Sequence, residues 1–167
     1  PPGGLDAVLR PYQQEGVAWL QSIRDGGFHA ILADDMGLGK TLETLTLLRA
    51  DRERGGRGPN LIVAPTSVVG NWAREAARFS PGFRVLRYEA GDRSKLLPRI
   101  PEHDLVLTTY GVLRRDAETL AAIPFRYAIL DEAQQIKTSD SQTARAARQI
   151  RAELRLCLSG TPIENNL

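Results

Sequence analysis

Short apolar runs alternate with longer amphipathic segments along the whole chain. The apolar runs are brief and nearly continuous, which is typical of buried strands, whereas the longer segments repeat their apolar residues at helical spacing. The predicted strands are Ala30–Ala33, Leu61–Ala64, Phe83–Tyr88, Asp104–Thr108, Tyr127–Leu130 and Arg155–Leu158. The predicted helices run from about Pro11 to Ile23 and over Lys40–Arg52, Ser67–Phe79, Gly111–Ile123 and Ser141–Ala152.

Two of these helices carry further signals. The helix that starts at Lys40 places Leu42, Leu45 and Leu48 on its apolar side and ends before a glycine-rich stretch that cannot continue a helix. The helix that starts at Ser141 is preceded by Ser139 and Asp140, either of which could cap it.

The regular alternation predicts an α/β fold with a mostly parallel central sheet and helices on both faces, in three layers. Ligands bind such sheets at the carboxyl ends of the strands. Each polar cluster of this sequence follows a predicted strand, so we expect the chemistry to gather at one edge. The clusters are Asp34–Thr41, Pro65–Thr66, Thr108–Thr109, Asp131–Glu132 and Ser159–Thr161.

Composition narrows the possibilities without identifying a function. The 167 residues suit one domain, and 42% hydrophobic with 25% charged residues is ordinary globular usage. The sequence has neither an apolar run long enough to span a bilayer nor the pattern of a signal peptide, so we expect no membrane partner. A net charge of +2 is too balanced to indicate nucleic-acid binding by itself. The single cysteine, Cys157, lies in an apolar run and is predicted to be a buried thiol, consistent with a reducing compartment.

The strongest motif is Met36-Gly37-Leu38-Gly39-Lys40-Thr41, which lies between a predicted strand and a predicted helix. Glycines let backbone N–H groups surround phosphate oxygens, and a helix N-terminus adds its positive dipole end. Lys40 would reach the β- and γ-phosphates, and the Thr41 hydroxyl would hold Mg²⁺. Asp34 stands where the strict phosphate-loop pattern has its first glycine.

A second motif supplies carboxylates about ninety residues later, where Asp131 and Glu132 follow the apolar run Ala128-Ile129-Leu130. Phosphate-bound Mg²⁺ takes a carboxylate ligand, which Asp131 would provide. Glu132 is the candidate to polarise the attacking water. Together the two motifs predict hydrolysis of a nucleoside triphosphate.

Six segments then resemble, in order, the motifs of the Swi/Snf-type ATPases of helicase superfamily 2. They are Leu9–Leu20 (the Q-type motif), Leu32–Thr41 (motif I), Leu61–Trp72 (Ia), Leu107–Tyr110 (Ib), Asp131–Gln134 (II) and Leu158–Asn166 (III). The resemblance accounts for the acidic residue at Asp34, since this family commonly has acidic residues there. The compact spacing resembles bacterial or archaeal members.

The resemblance implies that residues 1–167 are the first RecA-like P-loop NTPase lobe of a double-stranded-DNA translocase, with ATP and Mg²⁺ as cofactors. The implied nucleotide contacts are Gln13, which would read the adenine edge, and Met36, Gly37, Leu38, Gly39, Lys40 and Thr41. Thr41 and Asp131 would hold the metal, and the catalytic set is Lys40, Asp131, Glu132 and Gln134.

The same resemblance implies how the lobe would use DNA and its own second half. Sequence-independent contacts to the DNA backbone would come from hydroxyl and backbone N–H groups of Pro65, Thr66, Ser67, Thr108 and Thr109. Gln134 stands where many relatives carry histidine, and it would couple the site to motif III at Ser159, Gly160 and Thr161. The second lobe would follow Leu167 and supply arginines, so we expect the isolated lobe to be monomeric and nearly inactive. The absence of an initiating Met also suggests a piece of a longer chain.

Several alternatives remain open at this point. One alternative for Ser67 is that it caps the helix, and Trp19 and Trp72 are expected to pack in the core rather than stack on bases. We assign no role to His29 or His103, and Lys137 is expected to be a surface charge. At the level of function, the alternatives are another superfamily 2 motor (an RNA helicase or restriction translocase) or a nucleotide-binding interaction module without turnover. The location would be the nucleoid in a prokaryote or the nucleus in a eukaryote.

Overall fold

The computed structural model describes residues 29–32, 37–136 and 141–159. This part of the chain forms a six-stranded sheet in the order β1-β6-β5-β2-β4-β3, and every neighbouring pair of strands is parallel. The strands are β1 His29–Leu32, β2 Asn60–Ala64, β3 Val85–Arg87, β4 Leu105–Thr109, β5 Pro124–Leu130 and β6 Arg151–Ser159. The parallel α/β fold predicted from the alternating pattern is therefore confirmed.

Within the described ranges, five α-helices connect these strands: α1 Gly37–Glu53, α2 Thr66–Phe79, α3 Tyr110–Arg115, α4 Ala117–Ala121 and α5 Gln142–Gln149. Short 3₁₀ helices cover Arg93–Lys95, Leu97–Glu102 and Ala133–Gln135. None of the helices described here is long and apolar enough to cross a membrane.

The core lies in two layers because strand residues alternate between the faces of the sheet. Leu61 and Val63 of β2 pack with residues of α3, α4 and α5 on one face. Ile62 and Ala64 of the same strand pack with residues of α1 and α2 on the other. Helices thus cover both faces, as the near-continuous apolar strands predict.

Three predicted boundaries were wrong in ways that the tertiary structure explains. The segment Gly111–Ile123 forms two helices, because the backbone leaves helical geometry at Asp116, whose carboxylate binds Arg93 and Tyr88. The helix predicted to reach Ala152 ends at Gln149, and β6 begins at Arg151, where it pairs with Pro124 of β5. Strand pairing therefore prevails over helical propensity at this point.

Smaller corrections concern the two helices that carried extra signals. α1 begins at Gly37 rather than Lys40, and Leu42 is 37% exposed while Leu45 and Leu48 are buried. The cap of α5 is Ser141, whose hydroxyl accepts a hydrogen bond from the Ala144 N–H, and the predicted caps Ser139 and Asp140 lie outside the described residues.

Cys157, which was predicted to be buried, and His103, to which no role was assigned, both lie inside the fold. Cys157 is buried, and burial raises the pKa of its thiol. His103 is also buried, with Nδ1 2.7 Å from the Arg99 carbonyl oxygen, so its ring serves the fold.

Candidate nucleotide-binding site

Three neighbouring strands bring their carboxyl ends together at one edge of the sheet. β2 lies between β5 and β4, with Val63 opposite Leu130 and Ala64 opposite Thr109. The backbone N–H of Asp131, the first residue after β5, donates to the Val63 carbonyl at 2.8 Å. Side chains that follow these strands therefore meet at one edge, as the positions of the polar clusters predict.

Lys40 and the two acidic residues form the centre of this edge. The Lys40 ammonium lies 2.8 Å from Asp131 Oδ1 and 2.7 Å from Glu132 Oε2. Lys40 is 4% exposed and Asp131 3%. Thr41 follows Lys40 in α1 and is also buried. The phosphate-loop lysine and the two carboxylates are therefore in direct contact, although 92 residues separate Lys40 from Glu132.

Asp131 is held by several hydrogen bonds besides the one to Lys40. Its Oδ1 accepts the backbone N–H of Glu132 at 2.8 Å, and its Oδ2 accepts the Trp72 indole N–H at 2.7 Å. Its main-chain carbonyl accepts the Tyr110 hydroxyl at 2.6 Å. Both carboxylate oxygens and the backbone are thereby fixed, so the carboxylate has little freedom to rotate.

Glu132 has an uncommon backbone conformation that turns the chain sharply after β5. Its φ of 50° lies in the left-handed region, which a residue with a side chain adopts only where its surroundings require it. Glu132 Oε1 accepts the Gln134 amide N–H at 2.5 Å, and Gln134 Oε1 accepts the Ser159 hydroxyl at 3.2 Å. A chain of polar contacts therefore runs from Lys40 through Glu132 and Gln134 to the end of β6.

Their mutual interactions keep Lys40 and Glu132 charged. Burial opposes the charged form of Lys40, but Asp131 and Glu132 together outweigh it and raise the pKa of Lys40. Burial likewise opposes ionisation of Glu132, yet the hydrogen bonds from Lys40 and Gln134 lower the pKa of its carboxyl. Lys40 is thus a cation and Glu132 an anion at neutral pH, as phosphate binding and water activation each require.

The predicted DNA-contact residues fall into two groups. Thr66 and Ser67 are exposed, and Pro65 is half-buried, at the start of α2, where no side chain caps the helix. Because the cap position is Pro65, the alternative that Ser67 caps this helix is wrong. Thr108 and Thr109 are buried: the Thr108 hydroxyl donates to the Tyr88 carbonyl, and the Thr109 hydroxyl caps α3 through the Val112 N–H.

Other predicted site residues lie outside the described residues. They are Gln13, Met36, Gly160 and Thr161, together with Trp19 and Lys137, for which surroundings were predicted. Gly37 and Leu38 are described by their backbone, in the first turn of α1, with Gly39 following them. Ser159 is buried at the end of β6.

Two contributors to the site were missed from the sequence. Trp72 was expected in the core, and it is 1% exposed, but its N–H also reaches Asp131. Tyr110 belongs to the segment that resembles motif Ib, and its hydroxyl donates to the main-chain carbonyl of Asp131. A buried indole or phenol needs a partner for its polar atom, which is the one signal that could have pointed to these contacts.

A groove at the opposite edge of the sheet is lined by none of Lys40, Asp131 and Glu132. Its volume is about 670 Å³, and its lining includes Arg126, Arg151 and Glu153 at the amino ends of β5 and β6. Arg126 is paired with Asp51 and Glu153. The candidate site is therefore located by its charged contacts rather than by cavity size.

Comparison with known proteins identifies the family to which this site belongs. The model of the SNF2-related domain matches residues 12–167. The chain belongs to the SNF2 family. The predicted resemblance to Swi/Snf-type ATPases is therefore confirmed, and membership in this family implies that the SNF2 domain binds a nucleotide.

Curated relatives of the SNF2 domain come from bacteria and eukaryotes. The chain is 42% identical over 164 residues to the putative ATP-dependent helicase/translocase YwqA of Bacillus subtilis, covering 96% of this chain and 18% of the relative. It is 39% identical over 180 residues to the TATA-binding protein-associated factor MOT1 of Saccharomyces cerevisiae, covering 99% and 10%. Helicase SWR1 of Debaryomyces hansenii is 41% identical over 169 residues, with 98% and 10% covered. The chain thus spans less than a fifth of each of these relatives.

Solved structures agree on the fold of the SNF2 domain. The SWI2/SNF2 ATPase core of Sulfolobus solfataricus in complex with dsDNA is 39% identical with a TM-score of 0.74, covering 94% of this chain and 33% of that one. The same ATPase core domain in another structure is 40% identical with a TM-score of 0.71, covering 95% and 32%. The RecA-like α/β architecture predicted from the motifs is therefore confirmed.

Proposed function

We propose that this SNF2 domain is the ATP-binding lobe of a motor that couples ATP hydrolysis to movement on double-stranded DNA or to remodelling of protein–DNA complexes. The observation that carries the proposal is the contact of Lys40 with both Asp131 and Glu132 at the carboxyl edge of the sheet. In such motors the lysine binds the phosphates, one carboxylate holds the metal and the other polarises the attacking water.

Mg²⁺ fits the donors present at this edge. The ion prefers oxygen ligands, and in phosphate-transfer sites it usually takes one or two protein ligands together with the phosphates and water. Asp131 and Thr41 would hold it, and it would neutralise charge that develops on the phosphates. Among the residues that the structure describes, no group of three or more His, Cys, Asp or Glu side chains is placed to hold a metal.

The chain's own residues then divide the work of hydrolysis. Lys40 would exchange its two carboxylate partners for phosphate oxygens, which releases Glu132 to accept a proton from water. Gln134 would keep Glu132 oriented through one hydrogen bond. Through its second hydrogen bond, to Ser159, it would couple movement of Glu132 to the end of β6. A second lobe beyond Leu167 would close over the nucleotide, and the opening and closing of the two lobes would step the motor along DNA.

DNA would be held at the start of α2. Thr66 and Ser67 are exposed there, and a helix N-terminus favours phosphate through its free N–H groups and dipole. The related Sulfolobus core bound to dsDNA supports duplex DNA as the partner. The contact would be independent of sequence, because phosphates rather than bases are read.

The nucleotide half of the proposal is tested by titrating the chain with ATP and Mg²⁺. Lys40→Ala should reduce affinity by at least ~10-fold, since the loss of one charge-assisted contact to phosphate costs about 1.5–3 kcal/mol. Lys95→Ala, at an exposed lysine of a 3₁₀ turn, is the matched control and should bind as the wild type does. Unchanged affinity in Lys40→Ala, with the fold intact by circular dichroism, would refute the proposal.

The DNA half is tested by measuring affinity for duplex DNA, single-stranded DNA and RNA over a range of salt concentrations. A carboxylate in the first turn of a helix stabilises the helix but repels phosphate. Ser67→Asp should therefore keep the fold and weaken duplex binding, with less salt dependence. Thr119→Asp places the same charge at an exposed position in α4, which leads to the opposite edge, and should have no effect. Tighter binding of RNA than of duplex DNA would contradict a DNA motor.

A further inference from the structure

Trp72 joins the candidate DNA-contacting helix to Asp131. The indole N–H can only donate, and it donates its single hydrogen bond to Asp131 Oδ2 at 2.7 Å. Both side chains are almost fully buried, so water does not compete with the bond. A buried, charge-assisted hydrogen bond of this kind fixes an orientation as well as contributing energy.

The other end of the same helix segment is open to solvent. α2 begins at Thr66, so Trp72 lies six residues further on, or about 9 Å along the helix axis. Val69 and Ala76, one turn on either side of Trp72, are buried in the same core layer. A helix packed this closely shifts as a unit. Binding of DNA phosphates at Thr66 and Ser67 would therefore also move the Trp72 indole.

Asp131 is in turn anchored from the opposite face of the sheet. Tyr110 belongs to the core layer of α3, α4 and α5, and its hydroxyl donates to the Asp131 main-chain carbonyl at 2.6 Å. The Asp131 N–H is bound to Val63 of β2. Because the backbone is held at both points, displacement of Trp72 changes the carboxylate orientation rather than the position of the strand end.

We infer that Trp72 is a positioning residue through which DNA contact at the start of α2 sets the orientation of the Asp131 carboxylate, and thereby the affinity for the metal–nucleotide. The inference rests on the proposed function, since it needs phosphates at Thr66 and Ser67 and Mg²⁺ at Asp131. In this inference, displacement of α2 moves the Trp72 indole, and the hydrogen bond from Trp72 Nε1 to Asp131 Oδ2 transmits that movement to the carboxylate. Removal of a hydrogen-bond partner that orients a metal-binding carboxylate typically lowers metal affinity or activity 10- to 100-fold.

The test is a binding cycle on the whole chain with a non-hydrolysable ATP analogue. Affinity for the analogue is measured with Mg²⁺ or with EDTA, each with and without saturating duplex DNA. The ratio of affinities with and without DNA is the coupling factor, which must be the same when DNA binding is measured with and without nucleotide. In the wild type we expect DNA to tighten binding of the Mg²⁺ form about 5-fold or more.

Trp72→Phe keeps an aromatic ring in the core and removes the N–H. We expect the coupling factor to fall towards one and the gain from Mg²⁺ to fall about 10-fold. Affinity for DNA alone should remain, since Thr66 and Ser67 are untouched. Val69→Ala is the packing control: it loosens the same helix one turn away, and valine has no side-chain group that could hydrogen-bond Asp131. Its coupling factor should stay at the wild-type value.

The possible results separate this inference from the proposed function. A wild-type chain that binds no Mg²⁺–nucleotide, or no duplex DNA, overturns the proposed function and the inference with it. If the wild type binds both, a coupling factor of one overturns the inference alone. So does an unchanged factor in Trp72→Phe, or an equal loss in Val69→Ala, which would mark Trp72 as a packing residue.

Discussion

Gln134 Oε1 accepts a hydrogen bond from the Ser159 hydroxyl at 3.2 Å, while its Nε2 donates to Glu132 Oε1. The partners fix the orientation of the Gln134 amide. The Glu132 carboxylate can only accept a hydrogen bond, so the NH₂ group of the amide must face it. Gln134 thus connects the acidic pair after β5 to the end of β6. A glutamine can bridge here because it has both a donor and an acceptor.

Replacing this bridge should affect turnover more than nucleotide binding. Gln134→Leu removes both hydrogen bonds, so Glu132 loses its orientation while Lys40 and Asp131 keep theirs. We expect ATP hydrolysis by the protein that carries this chain to fall about 10-fold or more, with nucleotide affinity nearly unchanged. Gln134→His, which also offers a donor and an acceptor, should recover most of the loss. Leu and His variants with equal rates would contradict the bridging role.

Glu132→Gln should separate binding from hydrolysis. The substitution removes the base but keeps the shape of the side chain, and Asp131 still pairs with Lys40. General-base catalysis is typically worth about 10²–10⁴-fold, so steady-state phosphate release should fall by that range while nucleotide affinity is retained. Glu53→Gln, at an exposed position near the end of α1, serves as the control for loss of one negative charge. Hydrolysis within 2-fold of wild type in Glu132→Gln would show that another group activates the water.

Asp116 should make stability depend on acid pH. Its carboxylate accepts two hydrogen bonds from Arg93, at 2.6 and 3.0 Å, and one from the Tyr88 hydroxyl at 2.8 Å. The Arg93 bonds lower the pKa of Asp116 against the opposing effect of burial. A lowered pKa in the folded state contributes stability above the unfolded pKa of about 3.9, and that contribution is lost as pH falls through the folded value.

The corresponding experiment compares Asp116→Asn with the wild type in urea at several pH values. We expect the variant to be about 1–2 kcal/mol less stable at pH 7 and the difference to shrink below about pH 4. Glu118→Gln, at an exposed carboxylate two residues on, should change little at any pH. A difference that stays constant from pH 7 to pH 2 would show that the charge on Asp116 contributes nothing.

Two leucines of α1 should differ in their effect on the free energy of unfolding. Leu48 is 1% exposed and packs under the sheet, whereas Leu42 is 37% exposed. Leu48→Ala should cost about 2–5 kcal/mol through lost burial and a cavity. Leu42→Ala should stay within about 0.5 kcal/mol, because alanine is also a good helix former. Urea unfolding of both variants measures this, and equal losses would mean that Leu42 is covered in solution.

Local signals in the sequence were enough for the fold class and the centre of the site. Alternating apolar runs predicted a parallel sheet with helices on both faces, since each strand must be buried on two sides. Lys40, Asp131 and Glu132 were selected because each follows or faces a strand end, and parallel strands share that edge. The expectation that Gln134 contacts motif III came instead from the family resemblance, and the structure shows its hydrogen bond with Ser159.

Boundaries and long-range partners were decided by the tertiary structure. The segment Arg151–Ala152 resembles a helix end in isolation, but pairing with β5 makes it a strand. No local pattern shows that Leu42 faces solvent, or that Trp72 and Tyr110 reach Asp131 from opposite faces of the sheet. Periodicity specifies which residues share a face, whereas the atoms they meet depend on how the layers pack, and packing is a property of the whole folded chain.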